Sequence, residues 1–193
     1  EHFGVGPAAE MFWLARRFHE PVYAWQEHEQ IRNVRRADPL DLVWFQDLSK
    51  SPAASAWPLD TVFRGVNVAV LRGAWEDPNA VFVAVKGGDN KANHSHLDLG
   101  AFVLDAGGVR WALDLGSDNY NLPGYFGPKR FEYYRLRTES HNVVLIEGGN
   151  QDPKAEAGIV SERFTSRRAE VRIDLSRAYP ALLTRWIRTL ALV

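Results

Sequence analysis

The chain has 193 residues, of which 46% are hydrophobic and 24% charged, so it can bury a sizeable core and does not have the makeup of a disordered segment. A formal net charge of −1 supplies no global basic field, which argues against a nucleic-acid or anionic-membrane partner. With no cysteine, disulfides, thiolate metal sites and cysteine nucleophiles are excluded; no apolar run reaches the roughly 18 residues of a membrane-spanning helix.

In chain order, Glu1-His2-Phe3-Gly4 lack the basic and apolar regions of a secretion signal. The missing initiator Met and the apolar run at 186–193 read as the cut ends of a longer protein. Met11, Leu14, Ala15 and Phe18 recur at three and four, which predicts one apolar helix face. Pro21 closes that helix and opens a second over 22–33, since proline fits a first turn. Asp38-Pro39 reads as an N-cap and N1 pair starting a third short helix. Residues 1–50 are thus a helical segment, and 51–60, rich in Pro, Ala and Ser, a linker.

From residue 61 the pattern changes to strands: 66–71, 81–85, 99–105, 109–115, 142–147, 159–164, 168–175 and 182–193. Gly107-Gly108 marks a hairpin. Helices followed by strands, without βαβ alternation, predict a mainly β fold. Its form is an antiparallel β-sandwich over 61–193, truncated at its C-terminus. The irregular stretch 117–137 is long for a loop and is read as functional.

Chemistry concentrates at Asn93-His94-Ser95-His96-Leu97-Asp98. On a strand, His94 and His96 would share a face. A bare His-X-His is equally a pair of surface histidines. Asp114, at the end of the second hairpin strand, and His141, at the start of the next, complete a set of two nitrogens and one carboxylate with His96. Such a set suits zinc, and ligand type alone leaves manganese and iron open. Asp98 or Asn93 would accept the second ring N–H of a ligand. Lys129, Arg130, Arg135 and Arg137 lie on the loop before His141, and a guanidinium pairs well with a sugar carboxylate. Tyr125, Tyr133 and Tyr134 are candidates to stack on sugar or donate a proton.

The run His94-Ser95-His96-Leu97-Asp98-Leu99-Gly100-Ala101-Phe102, then Trp111-Ala112-Leu113-Asp114-Leu115-Gly116, then Tyr134-Arg135 and His141-Asn142, resembles the heparinase II/III-like polysaccharide lyases, which include alginate lyases. The resemblance covers about residues 60–193, and residues 1–50 are similar in character to the last helices of that family's α/α toroid. It implies a supersandwich-type fold facing a toroid across a cleft, and β-elimination on an acidic polysaccharide (heparin- or heparan-like, or alginate-like). It implies zinc at His96, Asp114 and His141, a substrate-facing His94, and a periplasmic or secreted location. The family's main proton-transfer tyrosine lies on the toroid and matches no tyrosine here, so this stretch alone is expected to be inactive.

We assign His94, Arg135 and Tyr125 as catalytic and Asn93, Tyr134 and Arg137 as substrate-binding. Two other readings stay open: a non-catalytic carbohydrate-binding sandwich with a structural metal, and a metal-dependent hydrolase on a cupin-like barrel. The sequence leaves the identity of the polysaccharide and the oligomeric state open.

Overall fold

A computed structural model describes residues 6–193, so the reading of residues 1–4 lies outside the described residues. The chain divides between Trp57 and Pro58 into a helical unit and a β unit.

In the helical unit, α1 spans Glu10–Phe18, α2 Pro21–Val34 and α3 Pro39–Trp44. Proline opens both later helices because its missing N–H would be unbonded there anyway. Asp38 caps α3 through Leu40 N, and Asp41 returns a bond to Asp38 N, a reciprocal capping box. The core of the unit is Phe12, Ala15 and Ala24, with Tyr23, Ile31 and Trp44 against it. The α1 face differs from the predicted one: Phe12 is fully buried and Phe18 is 61% exposed. The 3.6-residue period fits either set of residues, and packing on α2 selects the one centred on Phe12.

The β unit is an antiparallel sandwich. One sheet has the order β1-β2-β3-β5-β6, with β1 at Thr61–Phe63, β2 at Val68–Arg72, β3 at Phe82–Lys86, β5 at Phe102–Ala106 and β6 at Val109–Ala112. The other runs β4-β7-β8-β9, with β4 at Gly88–Asp89, β7 at Glu156–Thr165, β8 at Arg168–Asp174 and β9 at Ile187–Leu192. Ala69, Leu71 and Val85 face Ala169, Val171 and Ile173 in one buried cluster closed by Leu99, Leu175 and Tyr179. The alternation along β8, with Ala169, Val171 and Ile173 inside, follows from the two-residue strand period. Each fully buried Leu or Ile contributes roughly 1.5–3 kcal/mol.

Strand predictions fail or shorten at three places around the site, and the strand expected over 182–193 begins only at Ile187. Residues 142–147 are no strand; only the isolated bridge Ile146–Gly149 forms, around Glu147 and Gly148 at positive φ. The ladder is replaced by local and side-chain bonds: Val143 N donates to His141 O at 2.8 Å, and Asn142 Nδ2 donates to Phe102 O and Leu113 O, both at 2.9 Å. Residues 90–101 form turns, so His94 and His96 do not share a strand face; His94 has φ 63°. β5 therefore begins at Phe102, after Gly100 turns the chain with φ 85°. A Cβ on Gly100 would lie 2.5 Å from Leu175 Cδ1, so both the conformation and the space require glycine. β6 ends at Ala112 beyond a register shift at Leu104/Asp105, leaving Asp114 on the irregular chain after it. Two short strands, β1 and β4, were hidden in the linker boundary and in a Gly-Gly pair.

Candidate functional site

His141 is the centre of the best-defined polar cluster. Its backbone N–H donates to Thr138 O at 3.2 Å, at the end of the 3-10 turn Thr138–Ser140, and its side chain is buried. Nδ1 lies 2.7 Å from Asp114 Oδ2, while Nε2 is buried with no hydrogen-bond partner. An imidazole that donates from Nδ1 to a carboxylate presents an open lone pair at Nε2. The His96 ring sits 5.3 Å away, centroid to centroid. One donor atom each from His96, Asp98 and His141 lie within 4.8 Å of one another.

The electrostatics keep this cluster ready for a cation. Burial drives the His96 imidazole down to about 4; Asp98 opposes that, and the charges of Lys86 and Arg130 reinforce it. His96 is therefore neutral at ordinary pH, the form that ligates metal. Burial pushes the Asp114 carboxyl up, but the bonds from His141 and Gly116 N outweigh it and hold the group below its ordinary value. Asp98 is an ion-pair partner of Lys86 Nζ at 2.5 Å. A buried, unpartnered ring nitrogen, a neutral second imidazole and two neighbouring carboxyl groups are a donor set that fits zinc. The sequence reading took Asp114 as the ligand and Asp98 as an outer partner; here Asp98 shares the compact donor group with His96 and His141, and Asp114 is bonded to His141 Nδ1.

His94 stands apart from that cluster. It is exposed, its ring stacks on Tyr120 at 5.9 Å and 22°, and it meets the edge of Phe126 at 5.4 Å. Its left-handed backbone costs a non-glycine residue on the order of 1–3 kcal/mol, so the surroundings must enforce it. Asn93 and His94 both line a cavity of about 520 Å³ with Lys86, Asp89 and Glu156.

The loop residues separate into exposed and structural ones. Tyr134 is 51% exposed, with the Arg137 guanidinium 5.7 Å from its ring; Arg137 is paired with Glu139. Arg135 Nη1 donates to Leu115 O and Ser117 O, both at 3.2 Å, which ties the loop to the chain just after Asp114. Tyr125 is 1% exposed, packed on Tyr120, Phe126 and Tyr133, and its hydroxyl accepts from Asp118 N at 3.2 Å. A phenol so covered serves packing. Sequence reasoning missed Lys86, Gln151 and the role of Arg130, which act on backbone carbonyls or on one carboxylate from distant segments and leave no local motif.

The family described as heparinase II/III-like, C-terminal, matches residues 60–186. No curated protein matches the chain. Among solved structures, a mutant heparan sulfate lyase HepC from Pedobacter heparinus superposes with a TM-score of 0.67 at 17% identity, covering 96% of this chain and 25% of its own. A heparinase III structure superposes at 0.62 with 18% identity, covering 92% of this chain and 27% of its own. The chain thus spans about a quarter of the length of these structures.

Proposed function

The chain belongs to the heparinase II/III-like C-terminal family, and from that premise we propose that it forms the sandwich side of a polysaccharide lyase site acting on a uronic-acid-containing polymer. The single observation that carries this reading is the split between two histidines two residues apart. His96 is partly buried and neutral beside His141, whereas His94 is exposed on an aromatic wall. One histidine is thereby suited to a metal and the other to substrate.

β-Elimination removes the weakly acidic C5 proton of a uronate, forms the C4–C5 double bond and expels the C4 oxygen. Two needs follow: stabilisation of the charge that develops on the carboxylate, and a group to move the proton. His94 faces the sugar and handles a proton there. Arg135 and Arg137 keep N–H donors beyond those bonded in the structure, and a guanidinium has five; these address the carboxylate. Tyr134 and Asn93 contact sugar hydroxyls. Tyr125 supports this wall from beneath. Zinc would be held by His96, His141 and Asp114, and when bound it supplies fixed positive charge that organises the cleft. Asp98, whose oxygen lies with the two imidazoles, is ion-paired with the Lys86 ammonium and is assigned here as an outer partner.

The test has two parts. Elemental analysis of the purified chain is expected to give one zinc per chain, lost in His96→Ala and His141→Ala; a folded, metal-free wild type rejects the site. A polypeptide that also carries the toroid helices is expected to raise ultraviolet absorbance from unsaturated product on heparin, heparan or alginate, and the chain alone is not. Action outside the cytoplasm, on polymers too large to import, belongs to the same proposal; among the described residues no helix is long and apolar enough to cross a membrane.

A second reading, a non-catalytic glycan-binding sandwich, is favoured by the exposed rings of Tyr120, Phe126 and Tyr134. It requires glycan affinity that survives His94→Ala with no product formed by any longer polypeptide.

A further inference from the structure

We propose that Arg130 is the positioning residue that sets His94 against its aromatic wall, and so controls the presentation of the substrate-facing imidazole. The sequence offers Arg130 only as one of four cations on a loop. Its guanidinium is instead used on backbone carbonyls. Nε and Nη2 donate to Ser95 O at 3.2 and 2.8 Å, and Nη1 donates to Tyr125 O at 3.1 Å. Ser95 lies between the two histidines, so the bidentate grip falls on the peptide that separates the exposed His94 from the partly buried His96.

The third bond reaches the other half of the same arrangement. Tyr125 and Phe126 form the floor and edge of the wall on which His94 rests, with Tyr125 against Tyr120 at 5.1 Å and Phe126 against His94 at 5.4 Å. The guanidinium lies over Tyr125, Phe126 and Phe131 at 5.0, 5.5 and 5.9 Å from the ring centroids. One rigid planar group therefore fixes the His94–His96 turn and the aromatic segment in a single frame. Lysine carries the same charge but cannot span two carbonyls with that geometry.

The turn has other bonds of its own: Ser95 N to Ala92 O at 3.1 Å, Leu97 N to Leu136 O at 3.0 Å, and Ser95 Oγ to Asn90 O. Of these, the Ser95 bonds stay within the turn, and the Leu97 bond enters beyond His96. Among the described hydrogen bonds, only those of Arg130 connect the peptide between the histidines to the aromatic loop. Losing them is expected to release His94 from its left-handed conformation while leaving the fold and the His96–His141 cluster in place.

The proposal rests on the reading of His94 as substrate-facing, and the experiment separates the two. Arg130→Lys and Arg130→Ala are made in the whole chain and followed by the His94 ring resonances in heteronuclear NMR. In wild type, Tyr120 and Phe126 are expected to shift the His94 ring protons from free-imidazole values. In both variants those resonances are expected to move to the free values, with melting temperature and zinc content kept. Adding guanidinium ion at low concentration to Arg130→Ala is expected to return them part of the way. The same substitutions in a toroid-containing polypeptide are expected to lower kcat about 10-fold or more with KM little changed, since a small misplacement of a reacting group acts on the transition state. Unmoved His94 resonances in folded Arg130→Lys overturn the proposal, and so do moved resonances with unchanged kcat. If no acidic polysaccharide is cleaved by wild type, the lyase reading fails, and the resonances still decide the clamp.

Discussion

Gln151 is fully buried and commits both ends of its amide to one residue: Oε1 accepts Leu99 N and Nε2 donates to Leu99 O, each at 2.9 Å. Its backbone N–H donates to Thr138 Oγ1 at 2.9 Å, so one residue joins the turn after His96 to the turn before His141. Gln151→Ala leaves two buried backbone groups unpaired, at roughly 1–3 kcal/mol each. A thermal melt should show a fall of about 10 °C, and an unchanged melt would mean that the pairing matters little. Zinc affinity supplies a second measurement at this scale. Asp114→Asn is expected to lower it 100-fold or more, because it removes a proposed carboxylate ligand that also holds His141 Nδ1. Asp98→Asn is expected to lower it about 10-fold, as loss of an outer partner does; the reverse order would make Asp98 the ligand. Individual site residues were partly legible in the sequence. His96, Asp114 and His141 were singled out by residue type; the structure brings Asp114 to His141 and His96 beside His141, and it adds Asp98 to the two histidines. Gln151 and Arg130 were not legible, because an amide or guanidinium that bonds to backbone carbonyls needs no motif at either end.

At the scale of elements, the helices and hairpins were readable and the site turns were not. Proline and aspartate mark the starts of α2 and α3 through local sterics and capping, and Gly107-Gly108 marks the β5–β6 hairpin through positive φ at both positions. The apolar run at 142–147 has the composition of a strand but takes its bonds from side chains, and composition does not report which partner a backbone group finds. The packing of α2 on α3 makes a pH prediction. Glu27 is fully buried; burial first, and then the charge of nearby Asp41 and Glu10, raises its carboxyl above the ordinary 4.5, against the pull of Ala8 N. A raised folded-state value means that the protonated form fits the fold better. Its contribution is therefore complete below 4.5 and is lost as pH rises through the raised value. Glu27→Gln keeps an acceptor for Ala8 N and supplies a donor near Asp41 Oδ1, which is buried without a partner. The variant is expected to melt with wild type in acid and a few degrees higher near neutrality, read from the helical circular-dichroism signal. A lower melt near neutrality would show that the ionised carboxylate stabilises the helices.

For the whole molecule, the sequence conveyed the family and the order helices-then-sheet because those depend on periodicity and on a few spaced motifs. It did not convey how unequal the two cores are. The β unit closes a cluster of twelve buried residues that runs through both sheets and the turn residues Leu99, Leu175 and Tyr179. Among the described residues the buried cluster of the helical unit is Phe12, Ala15 and Ala24, and chains of about 60 residues are marginal even with a well-filled core. The candidate zinc residues and the Arg130 and Gln151 bonds all lie after residue 58, inside the β unit. Two consequences can be measured together. Heating the whole chain is expected to lose the helical far-ultraviolet signal before the near-ultraviolet signal of the sandwich aromatics. Residues 58–193 expressed alone are expected to melt within a few degrees of that second transition and to bind zinc as the whole chain does. A single coincident transition, together with loss of zinc binding in the shorter polypeptide, would show that the sandwich depends on the helices for its fold, and the site would then belong to the two units jointly.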